Sequence, residues 1–199
     1  METLARSSVM AQKEMAMIHL YNHTQHPDGP IKDILTFAAR VMGVKGDVHV
    51  KLTRSQYAKP GGWAGRTFPY LGFMKGTTNR EGRNGKLVSD LPGFVVLSLP
   101  NKAPNKHNPK TDWLTACEWF VHTALHEMAH IFQYRTNRLG KLLSAEKAYA
   151  RKRQEAHDKR PVEVDAENLI YDVMQDWQRD LRRQDLAIGL AIAIEERLK

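Results

Sequence analysis

The chain has 199 residues, of which 42% are hydrophobic and 26% are charged. It is long enough to bury a core in one domain, and its composition differs from that of a disordered chain. Its 30 lysines and arginines outnumber 22 aspartates and glutamates, which gives a formal net charge of +8. The single cysteine, Cys117, excludes an intramolecular disulfide and a cysteine-based zinc site. Any metal must therefore be held by histidine and carboxylate ligands.

The distribution of apolar residues argues against secretion and against a membrane span. Residues 1–23 mix charged and apolar side chains and lack the apolar segment of a secretory signal. The most apolar run, residues 186–194, is far shorter than the roughly 20 residues that cross a bilayer. We therefore expect a soluble, cytoplasmic protein that acts without a membrane partner.

The first third of the chain is predicted to be mostly helical. Two helices are expected, over about residues 3–22 and 30–43. Pro30 suits the first turn of the second helix, and Gly43 suits its end. Residues 47–53, DVHVKLT, alternate apolar and polar side chains, and this period of two predicts a half-buried strand.

Turns and short strands are predicted in the middle of the chain. Residues 59–65, KPGGWAG, break regular structure, and residues 68–74, FPYLGFM, fit a second short strand. Residues 75–92 have the polar, glycine-rich composition of a loop, which either gates a cleft or has no function. The strongest strand pattern is GFVVLSLP at residues 93–100, which Pro100 ends.

From residue 111 onward the pattern is helical. Helices are expected at about residues 112–140, 144–157, 161–183 and 186–198. In the third of these, apolar residues from Val162 to Leu181, including Trp177, recur at the spacing of one helical face. A few strands between two helical parts predict a single α+β domain over residues 1–199.

The helix that begins near residue 112 carries the densest apolar sequence of the chain. Apolar side chains lie on nearly every side of it, which is typical of a buried helix. Most of its polar residues fall on one stripe, formed by Glu118, His122, His126, His130 and Gln133. Histidines inside a buried helix cost free energy unless their ring nitrogens are satisfied. A bound metal ion would satisfy them.

The segment HEMAH, residues 126–130, has the spacing of a zinc site. His126 and His130 stand four residues apart on one helical face, so both rings can reach one Zn²⁺ ion at about 2.1 Å. Glu127 is rotated about 100° around the helix from His126, so it can stand beside the ion without binding it. Zinc lowers the pKa of a bound water to roughly 7, and the Glu127 carboxylate would serve as general base. The alternative is a set of satisfied core histidines.

The other histidines leave alternatives open. His122 extends the polar stripe by one turn, but three successive turns of one helix do not readily surround one ion. It would lie behind a ligand, face the substrate, or be an ordinary core histidine. His19, His23 and His26 also have ligand-like spacing, and we interpret them as a helix end and a loop.

The HEMAH motif resembles the active-site helix of the zincin metallopeptidases, in which H-E-x-x-H binds the catalytic zinc. The metzincin branch needs glycine and histidine three and six residues after the second histidine, where this chain has Gln133 and Thr136. The inverted H-x-x-E-H order is also absent. RPVEVDAENLI, residues 160–170, is similar to the E-x-x-A segment of small bacterial and phage-type zincins, including the ImmA-like peptidases. The resemblance covers about residues 93–175.

The resemblance implies that Glu163 is the third zinc ligand and that Ala166 is small enough for two helices to approach closely. An acidic residue in the first turn of a helix is also favoured by the helix dipole alone. Glu167 is the main alternative ligand. Three further alternatives are Asp158, Asp165 and His157.

The same resemblance implies a minimal zincin-like fold, with a small mixed sheet packed on the buried HEMAH helix and a wholly helical C-terminal half. The catalytic core would span about residues 45–180. By analogy, GFVVLSL would be the edge strand that pairs with an extended peptide substrate, although the pattern fits a core strand equally. The candidates for stabilising an oxyanion are His157, Tyr171 and Tyr134.

The function implied by the resemblance is hydrolysis of peptide bonds in a protein or peptide substrate, by a zinc-activated water with Glu127 as base. One alternative is a SprT-like protease that acts on DNA-bound proteins, because lysines and arginines gather in the C-terminal half, as at residues 151–153. Its third ligand would be a histidine, and only His157 follows His130; the charges also suit a solvated helix face. Another alternative is a non-enzymatic interaction module stabilised by zinc, with His157 or Asp158 as a fourth ligand.

Overall fold

Strands and helices both occur in the computed structural model, which describes residues 16–53, 65–68, 93–99, 113–136, 138 and 159–198. The strands are β1 (Ala16–Asn22), β2 (Gly46–Thr53), β3 (Gly65–Phe68) and β4 (Gly93–Ser98). The helices are α1 (Asp28–Val41), α2 (Trp113–Arg135), α3 (Pro161–Met174) and α4 (Trp177–Leu198). The predicted α+β class is confirmed.

The four described strands form one mixed sheet in the order β1-β2-β4-β3. Both β1 and β4 run parallel to β2, so that Val50 lies opposite Leu20 on one side and opposite Val95 on the other. β3 runs antiparallel to β4. Parallel neighbours need a crossover connection, and α1 supplies the one between β1 and β2.

The sheet buries one face in the core. Val48, Val50 and Leu52 of β2 are fully buried, and so are Val95 and Leu97 of β4. The residues between them in β2 are only partly buried. The alternation in DVHVKLT therefore predicted this strand correctly, because only one of its faces packs against the core.

The helix predicted at residues 30–43 is observed as α1. Its apolar face, which includes Ile31, Ile34 and Leu35, is fully buried. Gly43 follows the helix with φ +66°, a conformation that residues with a Cβ rarely adopt. Glycine therefore ends this helix as the sequence indicated.

Helix α2 runs through the core and contacts α1, α3, α4 and two strands. Its residues Phe120, Leu125 and Met128 are fully buried. The prediction of a buried helix is confirmed for most of its length, but it is wrong for Leu114 and Trp119. Trp119 is 56% exposed because it faces a groove between α2 and α4 instead of the core.

The single helix predicted over residues 161–183 is wrong, because the chain leaves helical structure at Gln175 and Asp176. The Asp176 carboxylate accepts a hydrogen bond of 3.0 Å from the backbone N–H of Gln178, and its carbonyl oxygen accepts one from Asp180. Asp176 is thus the N-cap of a new helix. That helix, α4, continues without interruption through the segment predicted as a separate last helix.

The break changes which residues of α4 face the core. Trp177 is 68% exposed and Leu181 is 46% exposed, although the single-helix pattern placed both on the buried face. Leu186, Leu190 and Ile194 form the buried face instead. Because one helix ends at Met174 and the next begins at Trp177, the second does not continue the phase of the first, and the apolar periodicity could not be extended across Asp176.

The helix predicted over residues 3–22 is wrong where the structure describes it. Residues 16–22 form β1, in which Ile18 and Leu20 pack against the core while Met17 is largely exposed. Pairing with β2 therefore outweighs local helix propensity. Residues 3–15 lie outside the described part of the chain.

The expectation that GFVVLSL is an edge strand is also wrong. β4 lies between β2 and β3 and pairs with both. Its backbone hydrogen-bonding groups are engaged on either side, so it cannot accept a substrate strand by β-addition. In the described sheet, β1 and β3 are the outer strands.

Three predicted segments fall outside the described residues: the loop at 75–92, the helix at 144–157 and nearly all of the short strand at 68–74. The described strand β3 begins earlier, at Gly65. Among the described helices, none has the length and apolar character needed to cross a membrane.

Ala166 provides a test of the packing around α3, because it is fully buried in the core cluster. We expect Ala166→Leu to overpack this contact and lower the free energy of unfolding by about 1–3 kcal/mol. Val164→Leu, on the exposed side of the same helix, should change it by less than about 0.5 kcal/mol. Urea unfolding of both variants measures the difference, and equal stabilities would contradict the packing described.

Candidate metal centre

Three potential ligand atoms from α2 and α3 meet at one point. The Nε2 atoms of His126 and His130 are 3.1 Å apart, and Oε2 of Glu163 lies 3.1 Å from the first and 3.2 Å from the second. All three side chains are only 10–18% exposed. In the described part of the chain, these residues form the one cluster of histidines and carboxylates that is tight enough for a metal ion.

The separations and the chemistry fit a zinc ion. Ligand atoms at about 2.0–2.1 Å from a tetrahedral Zn²⁺ ion lie about 3.3–3.4 Å from one another, close to the observed spacing. Two histidines and one glutamate are one of the donor sets of catalytic zinc sites, in which a fourth position is left for water or substrate. The three described residues therefore make a possible metal-binding triad.

The local sequence explains how the three residues converge. His126 and His130 lie on one face of α2 because they are four residues apart. Pro161 occupies the first turn of α3, where its fixed φ and missing N–H are tolerated, and Glu163 follows in the same turn. Ala166 is fully buried one turn later, where its small side chain permits a close approach of α3 to the core.

The outward ring nitrogen of His126 is held by a second glutamate on α3. Oε1 of Glu167 lies 2.8 Å from Nδ1 of His126, and its Oε2 lies 3.5 Å from Nε2 of His122. A carboxylate only accepts, so Nδ1 of His126 donates and Nε2 keeps a lone pair for a ligand. Glu163 and Glu167, one helical turn apart, thus contact the two opposite nitrogens of one ring.

The outward nitrogen of His130 is fixed by a buried glutamine. Gln133 Nε2 donates to the carbonyl oxygen of Val162 at 3.0 Å and to Oδ2 of Asp165 at 2.8 Å. Both partners are acceptors, so the amide oxygen must face Nδ1 of His130, 2.8 Å away. That oxygen can only accept, so Nδ1 carries the proton. The Nε2 atom of His130 is therefore also left with a lone pair that points at the cluster.

An ion pair anchors this chain of hydrogen bonds at the protein surface. Arg138 donates to both carboxylate oxygens of Asp165 at 2.5–3.1 Å. Burial raises the pKa of Asp165, but the hydrogen bonds from Arg138 and Gln133 outweigh it and lower the pKa below its usual value. Asp165 is therefore ionised near neutral pH, and its charge holds the Gln133 amide in the orientation that fixes His130.

Charge around the two histidines favours a cation between them. Burial lowers the pKa of both rings, but the hydrogen bond with Glu163 and the nearby carboxylates, Glu127 among them, outweigh it. The pKa of His126 and that of His130 are both raised above 6.5. The negative charge that stabilises a proton here would equally stabilise a metal ion.

The other residues proposed from sequence are placed as follows. Glu127 is buried at 4% exposure next to His126 and is not one of the three clustered ligands. Tyr171 is 68% exposed on α3, and Tyr134 is half-buried near the end of α2. His157 and Asp158 lie outside the described residues, so their suggested roles stay predictions.

The N-terminal histidines His19, His23 and His26 do not form a candidate metal-binding group among the described residues. His19 lies on β1, where its ring stacks on that of His49 at a centroid distance of 4.5 Å. His26 is buried and meets the ring of Trp113 edge-on. Neither belongs to the metal-binding cluster of the described residues. The interpretation of His19 as part of a helix end was wrong, since it belongs to a strand.

The sequence did not assign the residues that hold the ligands. Gln133 served only to exclude the metzincin branch, and Glu167 and Asp165 were considered as ligands and not as partners of ligands. Arg138 lies 27 residues from Asp165, and no local pattern marks that pair. Only Gln133, three residues after His130 on the same helical face, offered a signal in the sequence.

Comparison with known proteins identified no relative. No family model matches the sequence, and searches of curated proteins and of solved structures give no match. The resemblance to zincins therefore rests on HEMAH and on the segment around Glu163.

Two glutamates of α3 should differ in their effect on metal binding. Glu163→Ala should reduce bound zinc to well below one ion per chain, because it removes one of three ligands. Glu167→Gln should keep the ligands but weaken zinc binding by about 10- to 100-fold, since the partner of His126 is altered. Asn168→Ala, at an exposed position of the same helix, serves as control.

Elemental analysis gives the stoichiometry and competition with a chromophoric chelator gives the affinity. A full zinc complement in Glu163→Ala, with wild-type affinity, would contradict the ligand assignment.

Proposed function

We propose that this protein is a zinc-dependent metallopeptidase with a minimal zincin-like domain. The observation that carries the proposal is the convergence of His126, His130 and Glu163, whose ligand atoms lie 3.1–3.2 Å from one another. Glu127 occupies the position that the zincin resemblance gives to the general base. The E-x-x-A segment is consistent with the same assignment, since Glu163 is at the cluster and Ala166 is in the core.

The metal and its ligands have separate tasks. His126 and His130 each present a lone pair on Nε2, and Glu163 adds a carboxylate charge. Zinc held by these residues supplies a Lewis acid that polarises a carbonyl group and makes water a nucleophile near neutral pH. Because the set contains three protein ligands, it is compatible with the open coordination position that hydrolysis requires.

Glu127 is the residue that moves the proton in this proposal. Its carboxylate takes a proton from water as the water oxygen forms a bond with the carbonyl carbon of the peptide. It then gives that proton to the amine nitrogen when the carbon–nitrogen bond breaks. Glu127 is buried, and its charge raises the pKa of both His126 and His130, which is consistent with a carboxylate close to the cluster.

Hydrolysis also requires a group that stabilises the developing oxyanion. His157, Tyr171 and Tyr134 are the candidates from sequence, and His122 joins them because it lies one turn before His126 on the same face of α2. His122 is one-third exposed, so it can contact a bound substrate. A peptide substrate with an extended backbone is the substrate class that we propose.

Glu127→Gln tests the mechanism. This variant should retain zinc, because Glu127 is not a ligand, and should lose about 10²- to 10⁴-fold in hydrolysis rate, because the amide cannot accept the proton. The assay is cleavage of unfolded casein and of a random peptide library by zinc-loaded protein, with Glu196→Gln on the exposed end of α4 as control. Undiminished cleavage by Glu127→Gln would show that another group is the base.

A further inference from the structure

A groove of about 410 Å³ opens beside the metal centre, between α2 and α4. Its size is within the range of small-ligand pockets, about 300–1,000 Å³. The described residues that line it are Glu118, Trp119, His122, Arg183, Gln184 and Ala187. We refer to it as the Trp119 groove.

The Trp119 groove is connected to the metal centre through His122 and Glu167. His122 lines the groove, and Glu167 connects it to His126, with one carboxylate oxygen 3.5 Å from His122 and the other 2.8 Å from His126. One helical turn separates the two histidines, which is about 6 Å along α2. An extended peptide advances about 3.3–3.6 Å per residue. A side chain within one or two residues of the scissile bond would therefore reach the groove.

One wall of the groove is an exposed aromatic ring. Trp119 is 56% exposed, in contrast to the fully buried Phe120 beside it. The His122 ring meets the indole edge-on at a centroid distance of 5.9 Å. Ala187, which is buried, contributes an apolar surface from α4. An occupant with an apolar stem would cover the indole, and a cation over its face would gain further attraction.

The two charged residues that line the groove, Arg183 and Glu118, differ in whether an oppositely charged partner is present among the described residues. Asp180 binds Arg183 at 2.8 Å and accepts a hydrogen bond from Gln184 at 3.2 Å, so the groove's cation already has an anionic partner. Glu118 is exposed, and no lysine or arginine among the described residues forms an ion pair with it. Among the described residues, the groove therefore presents one carboxylate without a cationic partner beside the indole, in a chain whose net charge is positive.

We propose that the Trp119 groove binds an arginine or lysine side chain of the peptide substrate, close to the scissile bond. The aliphatic stem packs on Trp119, and the charged end pairs with Glu118. The inference rests on the proposed peptidase function for its place near a scissile bond, but binding of the basic side chain can be measured separately.

The binding test uses zinc-loaded Glu127→Gln protein and fluorescein-labelled peptides. One peptide carries a single arginine among alanine, serine and glycine, and its pair carries citrulline, which has the same shape without the charge. Fluorescence anisotropy should give a Kd about fivefold lower for arginine, the scale of an ion pair at a partly exposed site. The advantage should shrink as salt is raised, because exposed charges are screened.

Glu118→Gln in the same background should remove the preference for arginine over citrulline. Glu195→Gln, which removes an equal charge from an exposed position of α4, should leave the preference intact. Both sites are exposed, so the variants should fold, and zinc content and thermal unfolding check this. The proposal would be overturned if the arginine and citrulline peptides bound equally, or if a matched peptide with glutamate in place of arginine bound more tightly. An unchanged preference for arginine in Glu118→Gln would also overturn it.

Cleavage by the wild-type protein separates this inference from the proposed function. Cleavage that depends on Glu127 but shows no enrichment of arginine or lysine near the cut sites in a peptide library would refute the groove's role and leave the peptidase proposal standing. Specific binding of the arginine peptide without any cleavage would refute the peptidase and leave a basic-peptide site.

Discussion

Three hydrogen-bond acceptors face one another at the centre of this structure, and much of the rest of the described structure follows from that arrangement. Glu167 and the amide oxygen of Gln133 fix the protons of His126 and His130 on their outward nitrogens. The inward nitrogens and Oε2 of Glu163 then all present lone pairs, 3.1–3.2 Å apart. Such a group is stable only with a cation among its members, either a proton or a metal ion. The pKa of both histidines is raised for the same reason, since a proton on either ring supplies the positive charge that the group needs.

Helix packing, one ion pair and several hydrogen bonds hold these acceptors together. α2 is fixed in the core by α1, α4 and the sheet, and α3 packs against it with Ala166 fully buried. The Arg138–Asp165 ion pair then acts on His130 through Gln133, and Glu167 acts on His126 directly. Because each ring is fixed at its outer nitrogen, the inner nitrogens are aligned before any ligand arrives. This pre-organisation reduces the cost of binding a metal.

Local patterns in the sequence predicted the parts of the structure that depend on local geometry. The four-residue spacing of HEMAH, the alternation in β2 and the glycine after α1 each follow from one helical turn or one strand repeat. The predictions failed where distant contacts decide the outcome. β1 is a strand because it pairs with β2, and β4 is an inner strand because β3 pairs with it. The start of α4 at Asp176 was missed because its cap needs no glycine or proline.

The same distinction applies to the metal centre. His126 and His130 could be identified from their spacing, while Glu163 needed the resemblance to a family, since its distance along the chain carries no geometric information. Gln133 is three residues from His130, but Glu167 is 41 residues from His126 and Arg138 is 27 residues from Asp165, and only the tertiary structure brings these last two pairs together.

X-ray absorption at the zinc edge of the purified wild-type protein tests the central claim most directly. The account predicts a four-coordinate zinc ion at about 2.0–2.1 Å from its nitrogen and oxygen ligands, with the outer-shell scattering of two imidazole rings. A zinc ion with an all-oxygen shell, one with a single imidazole, or a protein that retains no zinc would contradict it.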